Sequence, residues 1–152
     1  MTNRILFVCL GNICRSPTAE AVFRQLADEA GAPVEVDGAG TSDWHVGDAP
    51  YGPMIKAGAA RGYDLSPLRA RQVSAADFDE FDLILAMDAK NLSHLQAMAP
   101  TGARARVALF LEEAGLVADE GTDVPDPYYT RDFDGALDLV EQASRALLAQ
   151  LQ

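Results

Sequence analysis

The sequence begins with a short apolar run that leads through a loop into a helical pattern. Residues 4–8 are predicted to form a buried strand, and apolar side chains recur at helical spacing from Ala19 to Ala30, where Gly31 ends the pattern. Residues 9–16 connect the two elements and read Cys-Leu-Gly-Asn-Ile-Cys-Arg-Ser. A strand, a loop and a helix in this order are typical of α/β folds, which constrains how the rest of the chain can fold.

The same alternation continues to the end of the chain. Further strands are predicted at residues 34–39, 82–87 and 106–110, and helices at about residues 54–61, after a cap at Asp88, and from Phe133 to Leu151. The pattern predicts a single domain over residues 1–152, an α/β fold with a mainly parallel, four-stranded twisted sheet and helices on both faces. In such sheets ligands bind beyond the carboxyl ends of the strands, which is where Cys9 lies.

The loop after the first strand has the composition of a binding site for a phosphoryl group. If residues 9–15 curl around the start of the next helix, several backbone N–H groups converge where the helix dipole is positive, and a dianion fits there. Arg15 adds a planar fork of donors that can bind two phosphate oxygens. The predicted phosphate-binding residues are Leu10, Gly11, Asn12, Ile13, Cys14 and Arg15.

Cys9 is the predicted nucleophile of this loop. A cysteine attacks only as a thiolate, and a helix N-terminus and a nearby cation both favour that form. Ser16 is expected to cap the helix and to donate its hydroxyl to the Cys9 sulfur, Gly11 to allow a backbone turn, and Pro17 to occupy the first helical position. A cysteine that ends a buried strand is more often a small core residue, but the spacing to Arg15 between a strand and a helix favours catalysis.

Nucleotide, metal and cofactor sites are not indicated. The loop lacks the lysine followed by Ser or Thr of a nucleotide-binding loop, and no G-x-G-x-x-G occurs, so the loop is expected to hold one phosphoryl group. The two histidines, His45 and His94, have no carboxylates at metal-ligand spacing. We therefore expect neither a metal nor a cofactor.

The charge of the chain limits its partners. The net charge is −11, with seven Lys and Arg against eight Asp and Glu in residues 1–72, and five against fifteen in residues 73–152. Such a surface repels nucleic acid and anionic membranes, so neither is an expected partner. No signal-peptide core is present and no apolar run approaches the roughly 20 residues of a membrane span, so a cytoplasmic protein is expected, and a monomer.

Two sets of residues have more than one possible role. Cys14 either fills space in the loop or forms a reversible disulfide with Cys9 under oxidation, which would protect the nucleophile. Trp44, Tyr128 and Tyr129 either pack on the surface loops or form the walls of a slot deep enough for a phenyl ring.

Several motifs together resemble the low-molecular-weight protein tyrosine phosphatases. The loop motif is followed, in that family's order, by the stretch at residues 39–47, by Ala70-Arg71-Gln72, by residues 81–88 ending in Met87-Asp88, and by Asp126-Pro127-Tyr128-Tyr129. The resemblance covers essentially the whole chain. It implies hydrolysis of phosphotyrosine through a cysteinyl-phosphate intermediate, with a tyrosine-phosphorylated protein as substrate.

The resemblance also selects a proton donor for the leaving phenolate. Four aspartates precede the last helix, and the sequence alone does not choose among them: Asp119, Asp123, Asp126 and Asp132. The likeness assigns the role to Asp126 and makes Asn12 a supporting residue of the loop. Many family members brace this asparagine with a histidine two residues before the Ala-Arg-Gln motif, where this chain has Leu68, so that brace is expected to be missing.

Three related activities remain as alternatives. The similar protein-arginine phosphatases tend to have threonine where this chain has Ile13, which favours phosphotyrosine over phosphoarginine. Thiol-dependent arsenate reductases resemble the fold and the loop but need further cysteines downstream, and no cysteine follows Cys14. A non-catalytic anion sensor would keep the loop without needing Asp126.

Overall fold

A computed structural model describes residues 4–116 and 121–151 of the chain. These residues form four strands, β1 (Arg4–Cys9), β2 (Glu35–Gly40), β3 (Leu83–Ala86) and β4 (Arg106–Leu109), and seven helices, α1 (Arg15–Ala30), α2 (Gly52–Ala59), α3 (Asp77–Glu80), α4 (Ala89–Met98), α5 (Phe110–Glu113), α6 (Pro127–Thr130) and α7 (Phe133–Leu151).

The four strands form one sheet in the order β2-β1-β3-β4, and every pairing is parallel. Side chains alternate between the two faces of a strand, so the central β1 contributes to two separate hydrophobic clusters. Ile5, Phe7 and Cys9 face the cluster that α1, α2 and α7 cover, whereas Leu6 and Val8 face the cluster that α3 and α4 cover. The predicted α/β class, parallel sheet and two helical layers are confirmed.

Aromatic packing anchors the larger cluster to the centre of the sheet. The Phe7 ring lies 5.8 Å from the Phe23 ring of α1 and 5.2 Å, edge-on, from the Phe110 ring of α5. All three side chains are fully buried, and burial of each stabilises the fold by about 1.5–3 kcal/mol. Helix α1 is therefore held firmly over β1, which fixes the loop between them.

The predicted ends of the elements hold to within two residues. Gly31 ends α1 in a left-handed conformation with φ 68°, and the Asp88 side chain caps α4 by accepting the Asn91 N–H. The predicted fourth strand stops one residue early, because Phe110 begins α5. Helices α3, α5 and α6 were not predicted, since four residues are too few for helical periodicity. Among the described residues, no helix is long and apolar enough to span a bilayer.

Candidate active site

The loop between β1 and α1 turns its N–H groups toward a pocket. Three of its carbonyls accept hydrogen bonds of 2.8 to 3.0 Å from outside the loop: Cys9 from the Thr41 N–H, Leu10 from Ser42 and Ile13 from Tyr51. A trans peptide places its C=O and N–H on opposite sides, so the N–H groups of Leu10, Gly11 and Cys14 point the other way, into the pocket that these residues line. This is the array of donors that an oxyanion requires.

Cys9 lines this pocket, and the residue is 3% exposed. Its sulfur is 3.1 Å from Ser16 Oγ and accepts the Asn12 N–H at 3.3 Å. The Asn12 amide Nδ2 donates to Ser16 Oγ at 2.6 Å, and because a hydroxyl has one proton, the Ser16 proton remains available for the sulfur. The hydroxyl's other neighbour, the Ala39 carbonyl, is farther away at 3.4 Å.

Asn12 is buried and adopts a left-handed backbone conformation, with φ 56°. Asparagine adopts this conformation more readily than most residues because its short side chain can hydrogen-bond locally, and here its surroundings supply the bond. Support comes from the backbone N–H of Arg71, which donates to Asn12 Oδ1 at 3.2 Å. The histidine brace is missing, as expected, and the Arg71 backbone braces Asn12 in its place. Leu68 instead packs against the hydrophobic core.

Arg15 is buried beside the sulfur with its charge compensated by carboxylates. Nη1 donates to Asp88 Oδ2 at 2.7 Å and to the Val124 carbonyl at 3.1 Å, and Nη2 lies 3.4 Å from Asp126 Oδ2. Burial by itself would lower the pKa of Arg15, but the Cys9 sulfur and then Asp88 outweigh it and raise that pKa, so the guanidinium stays charged. Its Nε is buried and has no hydrogen-bond partner among the described residues, and a bound oxyanion would supply one.

Of the three candidate aspartates among the described residues, Asp126 alone lines the pocket. Oδ2 faces Arg15, and Oδ1 accepts the Tyr128 N–H at 3.1 Å, which caps α6. The other aspartates near it have structural partners: Asp123 accepts the N–H of Ala89 at the start of α4, and Asp132 accepts the N–H of Gly135 in α7. Asp119 lies outside the described residues.

Cys14 is a free, buried thiol in the same loop. Burial raises the pKa of the Cys14 thiol to about 12, and the charges of Asp126 and of the Cys9 sulfur add to the rise. Cys14 is therefore protonated near neutral pH and is a poor nucleophile compared with a thiolate.

The mouth of the pocket is aromatic. Trp44, Tyr128 and Tyr129 all line it, and they are 69%, 41% and 70% exposed. The Tyr128 and Tyr129 rings are edge-on at 5.3 Å, and Tyr128 also packs at 5.1 Å against Tyr51 behind it. The three predicted rim residues are thus brought together around one opening rather than scattered over surface loops.

Two details of the predicted loop are wrong. Ser16 does not cap α1, because the helix starts at Arg15 and Cys14 is the capping position, without a side-chain hydrogen bond. Pro17 is consequently the third helical residue, where its missing N–H still costs nothing. The left-handed residue of the loop is Asn12. A side chain at Gly11 would be opposed by the His45 ring, whose Cδ2 would be 3.0 Å from a Cβ there.

Two side chains at the site, one that lines the pocket and one that holds Arg15, were not predicted as site residues. His45 lines the mouth, and its Nδ1 is 3.2 Å from Asp48 Oδ2. Asp88 was expected only as a helix cap, yet it also holds Arg15. Its position two residues after β3, the neighbour of β1, was the available signal, because carboxyl ends of parallel strands meet at one edge.

The arrangement combines a sulfur nucleophile, an array of N–H donors, a buried cation and a carboxyl group at one opening. It can bind a phosphoryl group, attack it and supply a proton to the group that leaves. No group of three or more His, Cys, Asp or Glu side chains suited to a metal ion is found in residues 4–116 and 121–151.

Comparisons with known proteins agree over nearly the whole chain. The sequence model of a family described as low molecular weight phosphotyrosine protein phosphatase matches residues 4–152. A low molecular weight protein-tyrosine-phosphatase of Streptomyces coelicolor is 45% identical over 157 residues, which cover 100% of this chain and 95% of that protein. The low molecular weight protein-tyrosine-phosphatase YfkJ of Bacillus subtilis is 42% identical over 153 residues, covering 97% and 95% of the two chains.

Solved structures are similar to the same extent. The crystal structure of YfkJ matches with a TM-score of 0.90 at 41% identity, covering 100% of this chain and 96% of that one. The crystal structure of a Drosophila arginine phosphatase matches with a TM-score of 0.89 at 30% identity, covering 99% and 97%.

Proposed function

This chain belongs to the low molecular weight phosphotyrosine protein phosphatase family and is a protein-tyrosine phosphatase, and we propose that it hydrolyses phosphotyrosine through Cys9, by way of a cysteinyl-phosphate intermediate. The observation that carries this proposal is the Cys9 sulfur, which lies beneath the pocket within reach of the Asn12 N–H and the Ser16 hydroxyl. Both donors favour a negatively charged sulfur.

The substrate phosphoryl group is bound by the loop N–H groups and by Arg15. The guanidinium offers Nε, which has no partner among the described residues, and Nη2, whose contact with Asp126 is long at 3.4 Å. Asp88 keeps hold of Nη1 at 2.7 Å while the other two nitrogens turn to phosphate oxygens. Two parallel N–H bonds then follow the charge as it spreads over the equatorial oxygens in the transition state.

In the first step the Cys9 thiolate attacks phosphorus in line with the phenolic oxygen. The S–P bond forms, the P–O bond to the ring breaks, and Asp126 protonates the departing phenolate. A positioned acid of this kind typically contributes about 10² to 10⁴ in rate. The Asp126 carboxyl is held for this role by the Tyr128 N–H on one oxygen.

In the second step water hydrolyses the cysteinyl-phosphate. Asp126, now ionised, accepts a proton from the attacking water, while the S–P bond breaks and the sulfur leaves as a thiolate. Ser16, whose proton is available because Asn12 donates to its oxygen, stabilises that sulfur. Ser16 and Asn12 therefore support Cys9 rather than contact the substrate.

The rim selects the substrate by the depth of the slot. Trp44, Tyr128 and Tyr129 provide ring faces and edges around the opening, which suit a phenyl ring stacked between them. Phosphotyrosine is long enough to bring its phosphate to Cys9 through such a slot, and phosphoserine is too short. A tyrosine-phosphorylated protein is therefore the proposed substrate.

The remaining features of the proposal concern the whole chain. It acts as one phosphatase domain over residues 1–152, as a cytoplasmic monomer that uses neither metal nor cofactor. Its net charge of −11 supports the absence of nucleic acid and anionic membranes among its partners.

Cys14 has a protective role in this proposal. Hydrogen peroxide oxidises the Cys9 thiolate to a sulfenic acid and releases hydroxide; the Cys14 sulfur then attacks Cys9, the S–S bond forms, and the hydroxyl leaves as water with the Cys14 proton. A thiol restores both cysteines by exchange.

Two substitutions test the mechanism with an aryl phosphate such as p-nitrophenyl phosphate. Cys9→Ser is expected to abolish hydrolysis. Asp126→Asn keeps an oxygen for the Tyr128 N–H but cannot donate the proton, so turnover is expected to fall by about 10² to 10⁴ while inhibition by inorganic phosphate is retained.

Asp132→Asn is the matched control, because Asp132 lies in the same acidic stretch and only caps α7. It is expected to hydrolyse the substrate like the parent. Full activity in Cys9→Ser or in Asp126→Asn would remove the role given to that residue, and an inactive parent that still binds phosphate would indicate an anion sensor.

Phosphoarginine is the second candidate substrate, because a Drosophila arginine phosphatase shares this fold at 30% identity. Initial rates on matched phosphotyrosine, phosphoarginine and phosphoserine peptides separate the possibilities. We expect the phosphotyrosine peptide to be hydrolysed fastest, in keeping with Ile13 in the loop and the aromatic rim. A faster rate on phosphoarginine would reverse the assignment.

A further inference from the structure

The N–H group that braces Asn12 belongs to Arg71, and the Arg71 side chain is itself clamped by two carboxylates. Its guanidinium meets Asp77 in a two-bond arrangement, Nη1 to Oδ2 at 3.0 Å and Nη2 to Oδ1 at 3.1 Å. It meets Asp37 Oδ2 through Nη2 at 3.1 Å and Nε at 3.3 Å. Asp77 is only 3% exposed. Paired bonds of this geometry fix orientation as well as charge.

The clamp joins three segments of the chain near the active site. Asp37 lies in β2, Asp77 is the first residue of α3, and Arg71 lies between them on a segment that runs beside the end of β2. The Arg71 carbonyl accepts the Gly40 N–H at 2.8 Å, and the Gly40 carbonyl accepts the N–H of Val73 at 2.8 Å. The Arg71 N–H is thus fixed both through its side chain and through its neighbours in the backbone.

The Arg71 N–H determines the direction of the hydrogen bonds between Asn12 and Ser16 and between Ser16 and Cys9. Because Arg71 donates, Asn12 must present Oδ1 to it, which turns Nδ2 toward Ser16. Ser16 Oγ then accepts from Asn12, and its own proton remains for the Cys9 sulfur at 3.1 Å or, at the longer distance of 3.4 Å, the Ala39 carbonyl. If the Asn12 amide were reversed, its Nδ2 donor would face the N–H donor of Arg71. Ser16 would then lose the donor that keeps its own proton directed away from Asn12.

We propose that Arg71 is a positioning residue for the nucleophile: its clamp by Asp37 and Asp77 holds the N–H that orients Asn12, and through Asn12 the Ser16 hydroxyl on the Cys9 sulfur. The proposal rests on the proposed function of Cys9 and extends the active site to residues that do not line the pocket.

Arg71→Met and Arg71→Lys test it. Methionine keeps the aliphatic bulk of the arginine side chain and removes both ion pairs. Lysine keeps the positive charge and loses the paired N–H donors of the guanidinium. The measurements are kcat and KM for p-nitrophenyl phosphate, and the rate at which iodoacetamide alkylates Cys9 in the folded protein, below the Tm of each variant. We expect kcat and alkylation to fall together by roughly tenfold in Arg71→Met, since a misplacement of about 1 Å can cost about 10²-fold in rate. Arg71→Lys should recover part of both.

Arg61→Met is the matched control. Arg61 is a second clamped arginine, held by Asp134, Asp138 and Glu141 of α7, and its contacts do not include the phosphate loop. It should lower Tm while alkylation and kcat stay at parental values. The same losses in Arg61→Met would show that stability alone is responsible, and parental alkylation in a folded Arg71→Met would overturn the proposal.

Asp37→Asn keeps the test decisive if Arg71→Met does not fold. It removes the charge of one half-exposed partner and leaves the Asp77 pair intact, so a smaller loss in the same two rates is expected. Parental rates in Asp37→Asn would then overturn the proposal. The proposed role of Cys9 is tested separately. An active Cys9→Ser variant would contradict the proposed function, whatever the result for the Arg71 variants.

Discussion

Two cysteines in one loop have different environments, and the difference assigns their roles. The Cys9 sulfur receives an N–H from Asn12 and a hydroxyl from Ser16, and it lies beside the Arg15 cation. Cys14 is buried next to negative charge, which raises its pKa to about 12. Hydrogen-bond donors therefore converge on the Cys9 sulfur, which suits Cys9 to attack, whereas Cys14 remains a neutral thiol near neutral pH.

Replacement of Cys14 tests its protective role at this scale. After a short exposure to hydrogen peroxide, the parent is expected to regain most of its activity with dithiothreitol, because a disulfide is reducible. Cys14→Ser should regain less, because its Cys9 sulfenic acid proceeds to irreversible forms. Activity before and after reduction, with peptide mass spectrometry for the disulfide, is the measurement.

The raised pKa of Cys14 also makes the rate of disulfide formation depend on pH. Its thiol is protonated below about pH 12 and gains thiolate only as the pH rises toward that value, so disulfide formation after peroxide should accelerate with pH. Recovery of Cys14→Ser as complete as that of the parent would show that Cys14 only fills space in the loop.

Site residues differ in how far the sequence could predict them. Cys9 and Arg15 follow from one contiguous motif, so their placement needs only local structure. Asp126 has three acidic rivals in the sequence, and nothing local distinguishes the aspartate that faces Arg15 from those that cap helices. Asp88 and Arg71 act through contacts 73 and 59 residues away along the chain, to Arg15 and Asn12, and such contacts follow from strand order rather than from spacing.

At the scale of elements, the end of β2 supports the phosphate loop by direct backbone contact. A Cβ on Gly40 would be 2.7 Å from the Leu10 carbonyl oxygen and 3.2 Å from the Asn12 nitrogen. Both of these atoms are backbone, so neither can rotate away. The loop and the strand must therefore approach as closely as glycine allows.

Gly40→Ala is accordingly expected to displace the loop. Because the N–H groups and the sulfur move together, kcat/KM for an aryl phosphate should fall by about 10²-fold or more, the cost of a misplacement of about 1 Å. Gly52→Ala is the matched control, since a Cβ at Gly52 meets no atom within 4 Å. It should keep parental activity, and parental activity in Gly40→Ala would show that the strand does not define the loop.

Helices and strands could be predicted where the pattern of apolar residues was long enough to show a period or a continuous run. Helices α1 and α7 repeat apolar residues over several turns, and β1 is a continuous apolar run. Helix α6 has four residues, and its position depends on the Asp126 cap and the buried Pro127 rather than on periodicity. This short helix nevertheless presents Tyr128 and Tyr129 to the pocket, so a functional element was among those that sequence patterns could not locate.

At the scale of the whole molecule, the phosphate-binding loop is cationic while the chain as a whole is acidic. The net charge is −11, and Arg15 is already paired with Asp88 and Asp126 before substrate arrives. Attraction for phosphate is therefore local to the loop, whereas the chain as a whole repels anions at longer range. Residues that flank a phosphotyrosine lie outside the loop and experience the longer-range field.

Salt should consequently change peptide selectivity. Two phosphotyrosine peptides that differ only in acidic or basic flanking residues share the local contacts, so the ratio of their KM values isolates the long-range field. At an ionic strength of about 0.01 M, where screening extends over about 30 Å, the acidic peptide should have the higher KM by several fold; at about 0.1 M, with screening over about 10 Å, the ratio should move toward one. Gly52→Ala should behave like the parent, since it keeps every charge. A ratio that is independent of salt would show that the net charge of the chain does not act on the flanking residues. A lower KM for the acidic peptide at low salt would mean that cationic groups at the rim control recognition despite that net charge.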